Sequence, residues 1–184
     1  SFPILQTGHH WGLNSMAVLL ALQAMDVPQE AALAALASFA PLSGRGAERQ
    51  VAGFTLIDES YNANPISMAS AIATLGARTA KGRRIVALTD MLELGPDAVK
   101  FHQSLAEHLV AAKVDAVYAA GPLMKSLYDA LPATQQGGYA LTAEALAPLV
   151  ARAAEPGDVV MVKGSNGSGA HRIAAAVLAR GENA

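Results

Sequence analysis

From about residue 54 onward, short apolar runs alternate with longer segments in which apolar residues recur at helical spacing. Short runs rich in Val, Ile and Leu are typical of buried strands, and strands that alternate with helices of 10–15 residues indicate right-handed crossovers. The pattern predicts strands at 54–58, 84–89, 114–120, 139–141 (weak) and 159–162. It predicts helices at 65–80, 96–112, 123–131, 143–154 and 169–180. The fold class is therefore α/β, with an open, mostly parallel, doubly wound sheet and helices on both faces.

The first forty residues have a different pattern, with two helices and no strand between them. Residues 14–25 are rich in Ala and Leu, and Asn14 or Ser15 is placed to cap their start. A second helix is predicted at 28–39, where Pro28 is a typical first-turn proline. The polar stretch PLSGRGAERQ (41–50) that follows contains two glycines and a proline, and it is the best candidate for a domain boundary.

Composition excludes several classes of protein. The chain has 184 residues, of which 52% are hydrophobic and 15% charged, so it is not intrinsically disordered. A net charge of −2 gives no support for binding to nucleic acid or to an anionic membrane surface. The chain has no cysteine, which excludes disulfides, thiolate zinc sites and a cysteine nucleophile. No apolar run reaches the roughly 18 residues of a membrane-spanning helix, and the first residues lack a signal-peptide pattern.

The exits of the predicted strands carry the candidate chemistry, because ligands of open α/β sheets bind outside the carboxyl ends of the strands. The four exits read DESYNANP, TDMLELG, AAGP and KGSNGSG. Three of them are unusually polar, and they are expected to meet at one edge of the sheet. Ordinary turn chemistry explains any one of these loops about as well. All three together favour a binding cleft.

Known nucleotide, metal and nucleophile motifs are not found at these exits. In KGSNGSG the lysine precedes the glycines, so the loop is not a P-loop, and no strand is followed by G-x-G-x-x-G. What remains is Lys163 with backbone N–H groups at a helix start, which suits a carboxylate or a phosphate. The five histidines have no zinc-helix spacing, so no metal ligands are predicted in this chain. No G-x-S-x-G nucleophile pattern is present, so a hydrolase triad is not supported.

Three segments together resemble a known family. GHHWGLNSMA, then SGRG with DESYNANPISM, then TDMLELG are similar, in order and spacing, to the Mur ligases of peptidoglycan synthesis. The resemblance covers essentially the whole chain. It implies that residues 43–184 are the Rossmann-like C-terminal domain and that 1–42 are the helical tail of the central ATP-binding domain. The chain starts without Met, so we expect it to be a piece of a longer protein. The P-loop and the lysine that family members carbamylate to hold Mg²⁺ would then lie upstream of Ser1.

The resemblance also implies an activity. Family members form an amide at the expense of ATP, through an acyl phosphate that an incoming amine then displaces. The YNANP and DM-x-ELG strings match the branch that adds D-alanyl-D-alanine to UDP-N-acetylmuramoyl-tripeptide. We therefore expect a cytoplasmic, monomeric enzyme that uses ATP and Mg²⁺ and is not inserted in a membrane, with the present piece inactive on its own. A sister ligase that adds a different amino acid and a Rossmann-like binding module without catalysis remain as alternatives.

The resemblance assigns nucleotide contacts to residues in two parts of the chain. Arg45 matches the arginine of the family's GR motif, which reaches the nucleotide phosphates, and it is the predicted catalytic residue; a solvated linker arginine is the alternative. The predicted ATP-binding residues are His10, Asn14, Arg45, Asp58, Glu59, Tyr61, Asn62 and Asn64. Tyr61 can lie against a purine face, and the amides can exchange hydrogen bonds with it.

The substrate side is assigned in the same way. Asp90 or Glu93 would receive the ammonium of D-alanyl-D-alanine, or would cap the next helix. Lys163 and Ser165 match a KGS string placed to hold the carboxylate of the dipeptide. Thr89 stands where the family usually has Gly, and His102 matches a family position without an assigned role.

Overall fold

A computed structural model of the chain describes residues 9–39 and 42–182, with side chains for 12–39 and 42–181. The chain divides into two compact units, residues 1–42 and 43–184. None of the helices in the described part of the chain is long and apolar enough to cross a membrane.

The described residues of the first unit form a pair of helices, α1 (His9–Ala24) and α2 (Gln29–Ser38). The prediction that Asn14 or Ser15 caps α1 is wrong, because the helix begins at His9 and Asn14 lies inside it with its side chain exposed. Pro28 is the residue that precedes α2, and no side chain caps that helix. Leu13 and Leu20 are exposed, because α1 is apolar on most of its faces.

The second unit contains a six-stranded sheet and five α-helices in its described residues. The strands are β1 (Ala47–Val51), β2 (Phe54–Glu59), β3 (Arg84–Thr89), β4 (Ala116–Ala120), β5 (Gln136–Ala140) and β6 (Val159–Lys163). The helices are α3 (Pro65–Ala77), α4 (Ala98–Ala111), α5 (Met124–Ala130), α6 (Ala143–Ala153) and α7 (Ala170–Glu182). Short 3₁₀ turns precede α4, β5 and α7.

The strand order is β1-β2-β6-β3-β4-β5, and every pair is parallel except β1 with β2. From β2 the chain moves outward through β3 and β4 to β5, and it then returns to place β6 in the middle. Helices α3, α4 and α5 bury one face of the sheet, and α6 and α7 bury the other. Crossovers that run in opposite directions put their helices on opposite faces when both are right-handed. The predicted fold class is confirmed.

Strand β1 was not predicted, because its sequence AERQV falls in the polar stretch assigned to the domain boundary. Only its end residues Ala47 and Val51 are buried, so it has no apolar run to reveal it. It pairs with β2 at the edge of the sheet through a two-residue turn at Ala52 and Gly53, both with positive φ.

Strand β5 begins at Gln136, three residues before the predicted start. The predicted start is late because Gly137 and Gly138 resemble a turn in the sequence. In the structure both glycines lie over the Tyr118 ring of β4, and a Cβ atom at Gly137 would come within 2.7 Å of that ring. Here glycine is a packing requirement of the strand rather than a turn signal.

Candidate functional site

Three strand exits meet at the carboxyl edge of the sheet, and Ser165 joins them. Its hydroxyl accepts a hydrogen bond from the Leu92 N–H after β3 (3.0 Å) and donates one to the Ala63 carbonyl after β2 (3.4 Å). The Ser165 N–H also donates to the Asp90 carbonyl (3.3 Å). The polar loops DESYNANP, TDMLELG and KGSNGSG therefore form one continuous surface, although Ser165 itself is buried within it.

The Asp58 carboxylate, at the end of β2, holds the start of the second unit in place. Oδ1 accepts from the Ser60 N–H (3.1 Å) and hydroxyl (2.5 Å). Oδ2 accepts from the Gly44 N–H (2.9 Å) and from the Ser43 hydroxyl (3.4 Å). Because Asp58 is only 7% exposed and both oxygens are engaged, its side chain organises the loop instead of facing solvent.

Arg45 lies on the turn that Asp58 holds. The turn is fastened on both sides of Arg45, since Gly46 donates to the Asp58 carbonyl (2.8 Å) and Tyr61 donates to the Gly44 carbonyl (3.0 Å). The guanidinium carbon of Arg45 lies 4.0 Å from the centre of the Tyr61 ring, a cation–π contact. Both side chains are exposed, so the guanidinium is held by an aromatic ring and remains open to an anion.

Asn62 and Asn64 shape the loop that follows. Asn62 Oδ1 accepts from the Ala63 N–H (2.8 Å). Asn64 caps α3 through a reciprocal pair of hydrogen bonds with Ser67, and Pro65 takes the first helical position. Both asparagines are exposed, with these amide oxygens used inside the loop.

The Lys163 ammonium points towards the loop after β2. Its Nζ donates to the Asn62 carbonyl (3.0 Å) and lies 3.4 Å from Glu59 Oε2. The side chain is 4% exposed, whereas that of Glu59 is 23% exposed. Burial lowers the pKa of Lys163, and the Glu59 carboxylate partly offsets that effect. Lys163 thus connects β6 to the β2 loop, and its ammonium is enclosed in this structure.

Asp90 is buried as well, and it caps a helix further along the chain than the one expected. Its Oδ1 accepts from the Met124 N–H (2.8 Å) and its Oδ2 from the Leu123 N–H (3.3 Å), at the start of α5. Burial raises the pKa of Asp90, and these two hydrogen bonds oppose the rise. Gly121 is required beside it, because a Cβ atom there would lie 2.4 Å from the carboxylate.

His102, a buried residue of α4, anchors the loop after β3. This fully buried ring accepts from the Met91 N–H through Nε2 (2.9 Å), and its Nδ1 lies 2.7 Å from the Ala98 carbonyl. The two partners require a neutral ring with its proton on Nδ1. Glu93, two residues after Met91, is exposed and has a φ of 64°.

Thr89 and Gly164 fit together where β3 and β6 end. The Thr89 hydroxyl lies 2.6 Å from the Ser168 hydroxyl and is fully buried. A Cβ atom at Gly164 would come 1.7 Å from Thr89 Oγ1. Thr89 keeps its regular parallel pairing with Ala120, so the missing side chain of Gly164 provides the room for the threonine.

A cleft of about 500 Å³ opens beside these loops, between the exits of β3, β4, β5 and β6. Its ionisable lining residues are Asp90, Glu144, His171 and Arg172, with an ion pair between Glu144 and Arg172. Leu92 and Leu141 add exposed apolar surface. A cleft with both charges and two leucines suits a small zwitterion that carries apolar groups.

The structure brings together the predicted residues of the second unit but divides them between two places. Arg45, Asp58, Glu59, Tyr61, Asn62 and Asn64 surround the β2 exit, and Lys163 joins them there. Asp90 lines the cleft, whereas Lys163, Ser165 and Glu93 do not. Asn14 lies in the first unit, and the His10 side chain is outside the described part of the chain. No group of three His, Asp or Glu side chains that could hold a metal occurs among the described residues.

Sequence reasoning missed Glu144, His171 and Arg172, because they lie inside or at the start of helices rather than in the polar exit loops. The signal available was their position in the first turn of α6 and α7, which face the same edge of the sheet as the exits. The signal for Asp58 and Lys163 as loop anchors was their position at the ends of two adjacent strands.

The family described as "Mur ligase, glutamate ligase domain" matches residues 44–166. The chain is similar to the UDP-N-acetylmuramoyl-tripeptide–D-alanyl-D-alanine ligase of Rickettsia prowazekii, with 28% identity over 86% of this chain and 35% of that ligase. It is also similar to the UDP-N-acetylmuramate–L-alanine ligase of Salinispora arenicola, with 31% identity over 86% of this chain and 32% of that ligase. The chain spans about a third of the length of these relatives.

Among solved structures, MurF ligase from Thermotoga maritima in complex with ADP superimposes with a TM-score of 0.81. The identity is 24%, and the match covers 97% of this chain and 40% of that one. At this identity the likeness shows the fold alone.

Proposed function

The chain belongs to the Mur ligase family, whose glutamate ligase domain covers residues 44–166, and from that membership we propose that it is part of a D-alanyl-D-alanine-adding ligase. The full-length enzyme would join this dipeptide to UDP-N-acetylmuramoyl-tripeptide at the expense of ATP. One observation carries the proposal: the loop after β2 and the charged cleft are neighbours at the carboxyl edge of the same sheet. Similarity to ligases of this specificity supports the choice of substrate.

The proposed reaction has two steps. The carboxylate of the UDP-linked peptide attacks the γ-phosphorus of ATP, which gives an acyl phosphate and ADP. The amine of the dipeptide then attacks the acyl carbon, an amide bond forms, and inorganic phosphate and a proton leave. Negative charge accumulates on the transferred phosphoryl group, and the amine must be held close to the acyl carbon. We assign the first of these tasks to Arg45 and the second to the cleft.

The β2 loop suits the nucleotide side of this reaction. Arg45 presents an exposed guanidinium that can form a forked pair with phosphate oxygens. Asn62 and the 23%-exposed Glu59 carboxylate belong to the same loop and would meet the base and ribose. The Tyr61 ring, expected from the sequence to lie against the purine, packs instead on the Arg45 guanidinium. Asp58 and Asn64 then contribute by shaping the loop, since their side-chain oxygens are already bonded within it. His10 and Asn14 stay proposals for the adenine side.

The cleft suits the dipeptide. D-alanyl-D-alanine carries an ammonium, a carboxylate and two methyl groups, and the cleft offers acidic, basic and apolar surface in about 500 Å³. Arg172 and Glu144, whose side chains are 57% and 52% exposed, are the accessible partners for its two charges. Ser165 and Asp90 stabilise the loops around the cleft through their hydrogen bonds. Glu93 lies on the exposed loop after β3.

Three further expectations belong to the whole protein. Because the described residues provide no ligand set for a metal, we place the Mg²⁺ ligands and the phosphate-binding loop in a part of the full-length protein outside this chain. We further propose that the enzyme acts in the cytoplasm, where its nucleotide substrates occur, and that it is a monomer. The isolated chain is expected to be inactive.

The test of the proposal is substrate-dependent phosphate release by the full-length protein. With ATP and UDP-N-acetylmuramoyl-tripeptide, we expect release to depend on D-alanyl-D-alanine and to be at least about 100-fold slower with L-alanine or diaminopimelate, as expected where buried groups of a site stay unpaired. Phosphate would be followed with a coupled assay, and the product by mass. Turnover that needs a different amine would contradict the proposed specificity.

A second candidate has a specific observation in its favour. The sequence identity to the L-alanine-adding ligase of Salinispora arenicola is 31%, compared with 28% for the Rickettsia enzyme. A sister ligase of this kind would use UDP-N-acetylmuramate with L-alanine. The same assay with that pair of substrates therefore distinguishes the two specificities.

Lys163 gives a prediction that separates the two halves of the site. In the full-length enzyme, Lys163→Met is expected to raise KM for ATP about 10-fold and to change KM for D-alanyl-D-alanine by less than about twofold. The reason is that its ammonium contacts Glu59 and the Asn62 carbonyl of the nucleotide loop. Steady-state kinetics with each substrate varied in turn would measure both constants.

The control is Lys125→Met, which removes an exposed lysine from α5, and it is expected to change neither constant. Lys163→Met removes one partner of a largely buried ion pair and leaves the Glu59 carboxylate and the Asn62 carbonyl without their donor, so the free energy of unfolding should fall by about 1–3 kcal/mol. A rise in KM for the dipeptide alone would instead support the sequence-based assignment of Lys163 to the dipeptide carboxylate.

A further inference from the structure

The contact between Arg45 and Tyr61 is built by the fold rather than by two side chains that meet by chance. The Tyr61 N–H donates to the Gly44 carbonyl (3.0 Å), so the residue before Arg45 and the residue that carries the ring are bonded directly. Gly44 has a φ of 74°, and a Cβ atom there would lie 3.0 Å from Tyr61 Cβ. A larger residue at position 44 would therefore collide with Tyr61, so glycine is needed for this close approach.

A buried carboxylate fixes the same turn from the other side. Asp58 accepts hydrogen bonds from Ser43 and Gly44, and its own carbonyl accepts one from Gly46. The backbone on both sides of Arg45 is thus bonded to the end of β2, while the Arg45 side chain itself is exposed. An exposed arginine on a fixed backbone still has several free torsion angles, and freezing them has an entropic cost.

The Tyr61 ring limits that freedom. The guanidinium carbon lies 4.0 Å from the ring centre, within the distance at which a cation is attracted to an aromatic face. Tyr61 is 48% exposed, so it offers aromatic surface just after the end of β2. Among the described residues, no carboxylate forms an ion pair with Arg45, so its charge is not neutralised by the ring contact.

From this geometry we propose that Tyr61 is a positioning residue for Arg45: its ring holds the guanidinium at the β2 exit, ready for the phosphoryl group. The proposal rests on the proposed function, because it takes Arg45 to act on the phosphates of ATP. It differs from the assignment of Tyr61 to a purine face, in which the ring would act on the nucleotide directly and independently of Arg45.

A double-mutant cycle in the full-length enzyme separates these two roles. Tyr61→Leu is expected to lower kcat about two- to fivefold, the range for an exposed cation–π pair, with a smaller change in KM for ATP. Tyr61→Phe keeps the ring and its contact with Arg45, so it should lose less kcat than Tyr61→Leu. In an Arg45→Ala background, Tyr61→Leu should cause no further loss of kcat, because the group it positions is gone. Losses that multiply in the double variant, or a rise confined to KM for ATP, would overturn the proposal.

A spectroscopic measurement tests the contact without any activity. In full-length protein labelled with ¹³C-arginine, the Arg45 side-chain protons are expected to be shifted upfield by the ring in the parent and in Tyr61→Phe. In Tyr61→Leu they should return to the range of an exposed arginine. An unshifted Arg45 signal in the parent protein would overturn the proposal even if ligase activity is found. A shifted signal without ligase activity would place the failure in the proposed function instead.

Discussion

Arg45→Ala in the full-length ligase is expected to lower kcat about 10²- to 10³-fold, the typical loss when one donor to a developing charge is removed. Arg45 is exposed on a turn whose backbone is held by Asp58 and Tyr61, so its loss leaves no cavity. The free energy of unfolding should therefore change by no more than about 1 kcal/mol, the value of the exposed cation–π contact that is lost. Rapid-quench measurement of acyl phosphate formation would locate the loss in the phosphoryl-transfer step.

The matched control for this variant is Arg49→Ala, four residues further along on strand β1 and likewise exposed. It removes the same charge from the same segment and should keep kcat within about twofold, since exposed substitutions away from a site have small effects. Arg45→Lys keeps the charge but loses the forked geometry, so an intermediate rate is expected. Near-parental turnover in Arg45→Ala would assign the residue to the surface of a linker.

The largest effect on stability is expected for Gly164→Ala. The added methyl would lie 1.7 Å from Thr89 Oγ1 and 3.1 Å from Ala170 Cβ, at a point where β3 and β6 are both buried. Overpacking of this kind costs about 1–3 kcal/mol, and the severity of this overlap favours the upper end. Urea unfolding followed by circular dichroism would measure the loss.

A second-site change provides the internal check. Because Thr89→Gly removes the side chain that occupies the space, Gly164→Ala should cost much less stability in a Thr89→Gly background than in the parent protein. Gly12→Ala is the control, since a Cβ atom there meets nothing within 4 Å and alanine favours the helix. If Gly164→Ala costs as much stability in the Thr89→Gly background as in the parent, the reciprocal fit of Thr89 and Gly164 is not the cause.

The parts of the fold that could be predicted from sequence are those whose burial leaves a pattern. β3 and β6 are covered by helices on both faces, so they appear as continuous apolar runs such as IVAL and VVMV. β1 buries only its two ends and takes its stability from pairing with β2, so its sequence looks like a linker. The glycines of β5 are required by a tyrosine on the neighbouring strand, which no local pattern reveals.

The candidate site divides in a similar way. The convergence of the exit loops follows from parallel strands alone, and so it could be predicted. The direction of each side chain could not, because it depends on partners far along the chain. Asp90 bonds to residues 33 and 34 positions later, and Lys163 bonds to a carbonyl 101 positions earlier. Glu144, His171 and Arg172 of the cleft could not be predicted in this way, because the spacing of apolar residues in α6 and α7 indicates only which face of each helix is buried.

The position of β6 has a consequence for how this domain is made in the cell. β6 is the last strand to be synthesised, yet it lies between β2 and β3 and supplies the hydrogen-bond partners of both. Until residue 163 has left the ribosome, two apolar strand edges face an empty slot one strand wide. Open edges of this kind are prone to pair with other chains. A nascent or prematurely terminated chain is thus a natural client of chaperones, because the sheet can close only after β6 has been made.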